Sequence, residues 1–265
     1  MDVDGQIISG RDLRVHYGDR EILHGVSFDV QPKETMVILG GSGSGKSTLL
    51  RTMVGLEKPT SGAVWVGGTN LAQASAAELD EVRKKIGLSF QGGALIGSMT
   101  VGENVALPLR EHTNLEASTI EVMVRIKLEQ VGLIQFQDFM PSELSGGMKK
   151  RAALARAMAM DPEILFFDEP SAGLDPIVAA GIDSLILNLK QALAVTIVVV
   201  THELASAFLI ADRIIVLDGG HIVAMATTDE LRRSTHPRIQ QFLNRVPDSE
   251  VSDDVDHLRL YTDRI

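Results

Sequence analysis

The stretch Gly40-Gly41-Ser42-Gly43-Ser44-Gly45-Lys46-Ser47 constrains this chain more than any other. It fits the pattern G-x-x-x-x-G-K-[ST], in which glycines let the backbone curl until successive N–H groups point at one anion. Lys46 then places a point charge on β- and γ-phosphates, and the Ser47 hydroxyl is suited to Mg²⁺. The flanks suit the loop. Residues 35–39, Thr-Met-Val-Ile-Leu, predict a buried strand, and residues 47–55 predict a helix whose N-terminus favours anions.

A chain of 265 residues, 45% hydrophobic and 23% charged, has the composition of a soluble globular protein of one large or two small domains. The absence of cysteine (0) excludes disulfides, thiol catalysis and cysteine-held metal. A net charge of -10 argues against nucleic acid as a partner. Lys149-Lys150-Arg151 is the densest basic run and reads as a solvated helix face. Apolar runs are strand-sized, and Met1-Asp2-Val3-Asp4 lacks a secretory core. The expectation is a cytosolic chain, or one held at a membrane through another protein.

Along the chain, residues 6–30 alternate as short strands around a turn at Tyr17-Gly18-Asp19, and 61–68 read as a strand running into a turn. Trp65 there suits packing on a sheet. Residues 86–90 predict another strand. From 101 to about 160 the pattern becomes helical, with Val122, Ile126 and 129–133 proposed as the buried stripe. Two strand–helix units follow, at 164–167 with 176–193 and at 195–200 with 203–210, then a hairpin over 214–225 and helices at 228–233 and 236–245. Such alternation predicts an α/β fold with a mostly parallel sheet. After Pro247 the composition turns acidic, with Val255, Leu258, Leu260 and Tyr261 as apolar exceptions.

Seven more residues, at four places in the chain, suit phosphate chemistry. Asp168 and Glu169 end an apolar strand, where an open α/β sheet places its ligand chemistry; Asp168 can hold Mg²⁺ and Glu169 can polarise a water. Ser145 is a sound N-cap, but Gly146 and Gly147 just inside its helix cost roughly 1 kcal/mol each against alanine. Close approach of backbone to a phosphate would explain them. Gln91 and His202 each follow a strand.

With these residues in order, the chain resembles the ATP-binding subunits of ABC transporters from about residue 7 to 245. Gly40 to Ser47 is similar to the Walker A loop, Gln91 to the Q-loop and Leu144-Ser145-Gly146-Gly147-Met148 to the signature. Residues 164–168 resemble Walker B with Glu169 as catalytic glutamate, Ser171-Ala172-Gly173-Leu174-Asp175 the D-loop, and His202 the switch histidine. Tyr17 stands where the family stacks an aromatic ring on adenine. Gly41 replaces a common proline, and Met148 a common glutamine whose polar contact is lost. A finer likeness, to the Mla-type (MlaF-like) ATPases of MCE-associated lipid transporters, rests on Phe90-Gln91-Gly92-Gly93-Ala94-Leu95, on 99–113, and on the Ser-Gly-Gly-Met signature.

The resemblance implies a P-loop NTPase of ABC type: a mostly parallel core, an N-terminal antiparallel β subdomain and a helical subdomain at roughly 91–160. Residues 1–245 would form the ATP-binding domain, and 246–265 an acidic extension suited to docking. ATP would lie on Tyr17, Gly40, Gly41, Ser42, Gly43, Ser44, Gly45, Lys46, Ser47 and Thr48. Mg²⁺ would be held by Ser47, Gln91 and Asp168, and catalysis carried by Glu169, His202, Gln91 and Lys46. Ser145, Gly146 and Gly147 would act on the ATP of a second copy across a homodimer interface, beside Asp175. Implied partners are an MlaE-like integral membrane permease, an MCE protein and a STAS-domain subunit, at the cytoplasmic face of the inner membrane, with phospholipid as cargo. An ABC ATPase for another cargo, such as an amino acid or lipoprotein, keeps every catalytic motif; a non-transport ABC protein would usually add a coiled coil or a second cassette.

Overall fold

The computed structural model describes residues 5–246. The expectations for the acidic extension after Pro247 lie outside the described residues. Two compact units divide the chain, the first running to Thr228 and the second beginning at Asp229.

The first unit opens with β1 (Ile8–Tyr17) and β2 (Arg20–Val30), followed by β3 (Thr35–Leu39) and α1 (Lys46–Met53). Next come β4 (Ser61–Val66), the two-residue β5 (Thr69–Asn70), α2 (Ala76–Lys84) and β6 (Ile86–Ser89). Three helices then follow: α3 (Val101–His112), α4 (Ala117–Gln130) and α5 (Gly146–Ala157). The unit closes with β7 (Ile164–Asp168), α6 (Pro176–Leu193), β8 (Thr196–Thr201), α7 (Leu204–Ile210), β9 (Arg213–Asp218) and β10 (His221–Thr227). The second unit holds most of α8 (Thr228–Arg233) and all of α9 (Pro237–Asn244).

Two sheets result. One is antiparallel, in the order β2-β1-β4-β5; the other runs β10-β9-β3-β8-β7-β6, parallel except for the β9–β10 hairpin. The parallel strands are continuous apolar runs because both their faces are buried. Met36, Ile38, Ile164, Phe166, Val198, Val200, Ile215 and Leu217 face one core with Leu49, Leu50 and Met53 of α1 and the inner side of the antiparallel sheet. The alternate residues Val37, Phe167, Ile197 and Val199 are equally buried, and α7 packs on β3. Each such side chain contributes about 1.5–3 kcal/mol by leaving water. The strand pairing Thr35↔Ile197 through Leu39↔Thr201 fixes the end of β3 beside that of β8, with β7 next.

Trp65 lies half-buried on β4 opposite Ser9, as packing on a sheet requires. The stripe proposed for α4 is corrected. Ile120, Val124, Lys127 and Leu128 are buried, whereas Val122, Ile126 and Glu129 are exposed; Val131 and Leu133, just past the helix end, are buried as expected. The helix is rotated because α3 and α5 pack on its other face. Helix α2 was not anticipated. It buries only Val82 and starts at a capping box, in which Ser75 accepts from the Glu78 N–H and Glu78 accepts from that of Ser75.

Candidate nucleotide site

The loop between β3 and α1 shows why its glycines are needed. A Cβ on Gly40 would lie 2.2 Å from the Leu217 carbonyl oxygen. Gly43 and Gly45 adopt φ of 74° and 102°, which only glycine takes without strain. Lys46 is buried and donates to the Gly40 and Gly41 carbonyls, 2.9 Å each. Burial lowers its pKa, against the opposing pull of the Glu169 and Asp168 carboxylates. Above the loop lies a cavity of about 250 Å³, lined by Gly43, Ser44, Gly45, Lys46, Ser47 and Thr48 with Arg20 and Ile22. Arg20 and Ile22 belong to β2 and carry no motif, so nothing in the sequence pointed to them. Tyr17 is exposed, its hydroxyl donating to Glu57 Oε2 at 3.1 Å.

Strand β7 delivers the two acids. Asp168 Oδ1 is buried without a hydrogen-bond partner, and burial, then the neighbouring Glu169 charge, raises its pKa. An orphaned, solvent-shielded carboxylate oxygen is a misfit unless a cation or donor meets it, so the residues fit a hard metal ion. Glu169 is buried and takes φ of 49°, its N–H donating to the Val200 carbonyl at 2.8 Å. That crossing to β8 turns its carboxylate onto the end of β8, where Oε1 meets His202 Nδ1 at 2.8 Å and Oε2 accepts from Thr201 Oγ1 at 3.4 Å. The structure therefore gathers the loop, Asp168, Glu169 and His202 at the ends of three adjacent strands.

Lys150 is a correction. Its run read as solvated, but its ammonium is half-buried and donates to the backbone carbonyls of Gln91 and, at 2.9 Å, Glu169. Gln91 is otherwise exposed in the loop after β6.

Ser145 caps α5 by accepting from the Met148 N–H at 3.3 Å, and it is exposed with Gly146. These two do not line the loop cavity of their own chain. Gly147 is buried, and a Cβ there would come within 2.5 Å of Val178 Cγ1, so packing of α5 on α6 explains this glycine without a ligand. Asp175 caps α6, accepting from the N–H groups of Ile177 and Val178 at 3.1 Å.

This combination of a parallel sheet, a phosphate loop at the end of β3, paired acids on β7 and a histidine after β8 defines a P-loop ATPase. The profile of the ABC transporter family matches residues 23–172, and the chain belongs to that family as its ATPase. It is 42% identical over 245 residues to the intermembrane phospholipid transport system ATP-binding protein MlaF of Escherichia coli (strain K12), covering 92% of this chain and 91% of that one. It is 40% identical over 240 residues to the probable ribonucleotide transport ATP-binding protein mkl of Mycobacterium leprae (strain TN), covering 91% of this chain and 69% of that one. Among solved structures, a dimeric ATP-binding cassette bound to ADP and phosphate after hydrolysis superposes with a TM-score of 0.76 at 32% identity, over 83% of this chain and 98% of that one. Among the described residues, no helix is long and apolar enough to cross a membrane.

Proposed function

We propose that residues 1–245 form the motor domain of a phospholipid transporter, working as a homodimer with two composite ATP sites at the cytoplasmic face of the inner membrane. Within one chain, Gly40 to Thr48 cradle the phosphates and Lys46 leaves its two carbonyls to meet the γ-phosphate. Tyr17 stacks on the base. Ser47, Gln91 and Asp168 hold Mg²⁺, which, when bound, neutralises charge on the phosphate oxygens. Glu169 takes the proton of the attacking water, and His202 contacts the γ-phosphate and orients Glu169. From the second copy, Ser145, Gly146 and Gly147 complete the site, with Asp175 at the junction. Phosphoryl transfer of this kind depends on positioning and charge stabilisation.

The observation that carries the reading is Glu169. It is held in a left-handed backbone conformation that aims its carboxylate at His202, one residue beyond the orphaned Asp168 oxygen. Glu169→Gln keeps shape but removes the base. It is expected to bind ATP normally and lose at least ~10²-fold in turnover. Near-normal hydrolysis by that variant would sink the assignment.

For cargo, the segment 90–113 and the likeness to MlaF support phospholipid, moved through an MlaE-like permease with an MCE protein and a STAS-domain subunit. The relative from Mycobacterium leprae favours a second reading, a nucleotide cargo, which leaves the ATP site unchanged. Purification with native membrane partners and reconstitution into phospholipid vesicles separates them: ATP-dependent lipid movement supports the first, and its absence alongside ribonucleotide uptake the second.

A further inference from the structure

We propose that Lys150 is a positioning residue for hydrolysis, which locks the backbone of Glu169 to that of Gln91. The proposal rests on the reading of Glu169 and Gln91 given above. One ammonium spans the two carbonyls, donating to Glu169 O at 2.9 Å and to Gln91 O. Glu169 needs such a lock. A non-glycine residue at φ of 49° carries about 1–2 kcal/mol of strain and keeps that conformation only where its surroundings hold it. One hold is its N–H on Val200 of β8; on the other side of the residue its carbonyl accepts from the Ala172 N–H at 3.3 Å and, more closely, from Lys150. Without Lys150 that carbonyl keeps only the longer bond from Ala172, and the peptide after Glu169 has more freedom to turn and carry the carboxylate off His202.

The lysine also ties two places that chain order keeps apart. It stands on α5, less than two turns from Ser145 at the start of that helix. In the proposed dimer Ser145 addresses the ATP of the second copy, while Lys150 addresses the catalytic glutamate of its own. Helix α5 thereby links one site to the other. Its grip on the Gln91 loop continues at Arg156, which donates to the Gly93 and Ala94 carbonyls at 2.7 Å each. Arg156 holds the loop, and Lys150 joins that held loop to Glu169.

The test compares Lys150→Met, which keeps length but donates nothing, with Lys150→Arg, which keeps cation and reach. Full-length variants are assayed for steady-state ATP hydrolysis, binding of a fluorescent ATP analogue and thermal midpoint. If Lys150→Met unfolds, Lys150→Gln takes its place. The expected result is a kcat about ten- to a hundred-fold lower, since misplacement of about 1 Å costs that much. KM and analogue affinity should stay within about two-fold, Lys150→Arg should recover most of kcat, and adding Lys150→Met to Glu169→Gln should slow it no further. A Lys150→Met kcat within about two-fold of wild type overturns the proposal, as does a loss that Arg does not rescue or that adds fully to Glu169→Gln. If Glu169→Gln alone is inactive while Lys150→Met is active, only the role of Lys150 fails. If Glu169→Gln alone hydrolyses ATP normally, the reading of Glu169 fails first and the proposal with it.

Discussion

Asp183 of α6 lies inside the protein, 4% exposed, and only one of its oxygens is satisfied. Ser206 donates to Oδ2 at 2.7 Å, while Oδ1 has no partner. Burial raises its carboxyl pKa; the Ser206 bond opposes this and the Glu203 charge adds to it. A carboxyl that holds its proton more tightly when folded adds stability below the unfolded pKa of about 3.9, and that stability is lost as pH rises through the folded value. Asp183→Asn removes the buried charge while keeping an acceptor for Ser206. Its thermal midpoint near pH 7 is expected to rise by roughly 2–4 °C, about 1 kcal/mol, with the gain disappearing towards about pH 4. A pH series of melting curves checks this, and identical curves for both proteins would show that the carboxylate costs nothing.

At the scale of the element, α3 depends on one polar side chain. Asn104 is fully buried and clamps the loop before its own helix: Nδ2 donates to the Ile96, Met99 and Thr100 carbonyls, and Oδ1 accepts from the Ile96 N–H at 2.7 Å. Thr100 and Glu103 form the capping box beside it. Asn104→Ala should strand several of these groups out of water and cost about 2–4 kcal/mol, read from urea unfolding. A loss below about 0.5 kcal/mol would mean that water replaces the side chain. The segment around Asn104 was recognised in sequence only as a family likeness; its physical role is visible only when the loop folds back on the helix. The same distinction runs through the molecule. β3, β7 and β8 were legible because strands buried on both faces are unbroken apolar runs. Helix α4 was read out of phase because its apolar residues fall at helical spacing on two faces, and only α3 and α5 decide between them. The phosphate loop is contiguous and so was plain, whereas Arg20, Ile22 and Lys150 reach the site through contacts between distant segments.

At the scale of the whole molecule, the proposed sites are divided between two copies. One protomer carrying Lys46→Ala can be paired with another carrying Ser145→Ala. The mixed dimer then keeps one intact composite site, built from the second protomer's Lys46 and the first's Ser145, while each mutant homodimer keeps none. Tagged heterodimers are expected to recover up to roughly half of wild-type turnover if the sites act independently. Recovery of none, with nucleotide still bound at the intact Lys46, would count against sharing. The strand order has a further result for synthesis on the ribosome. Both neighbours of β3, the strands β8 and β9, are translated long after it, and parallel partners at such separation pair late. A nascent chain therefore carries its complete phosphate loop beside an unpaired apolar strand for most of its elongation. During that interval the segment around Met36 to Leu39 is an exposed apolar strand with unpaired edges, the kind of surface that makes a partly made chain prone to aggregation.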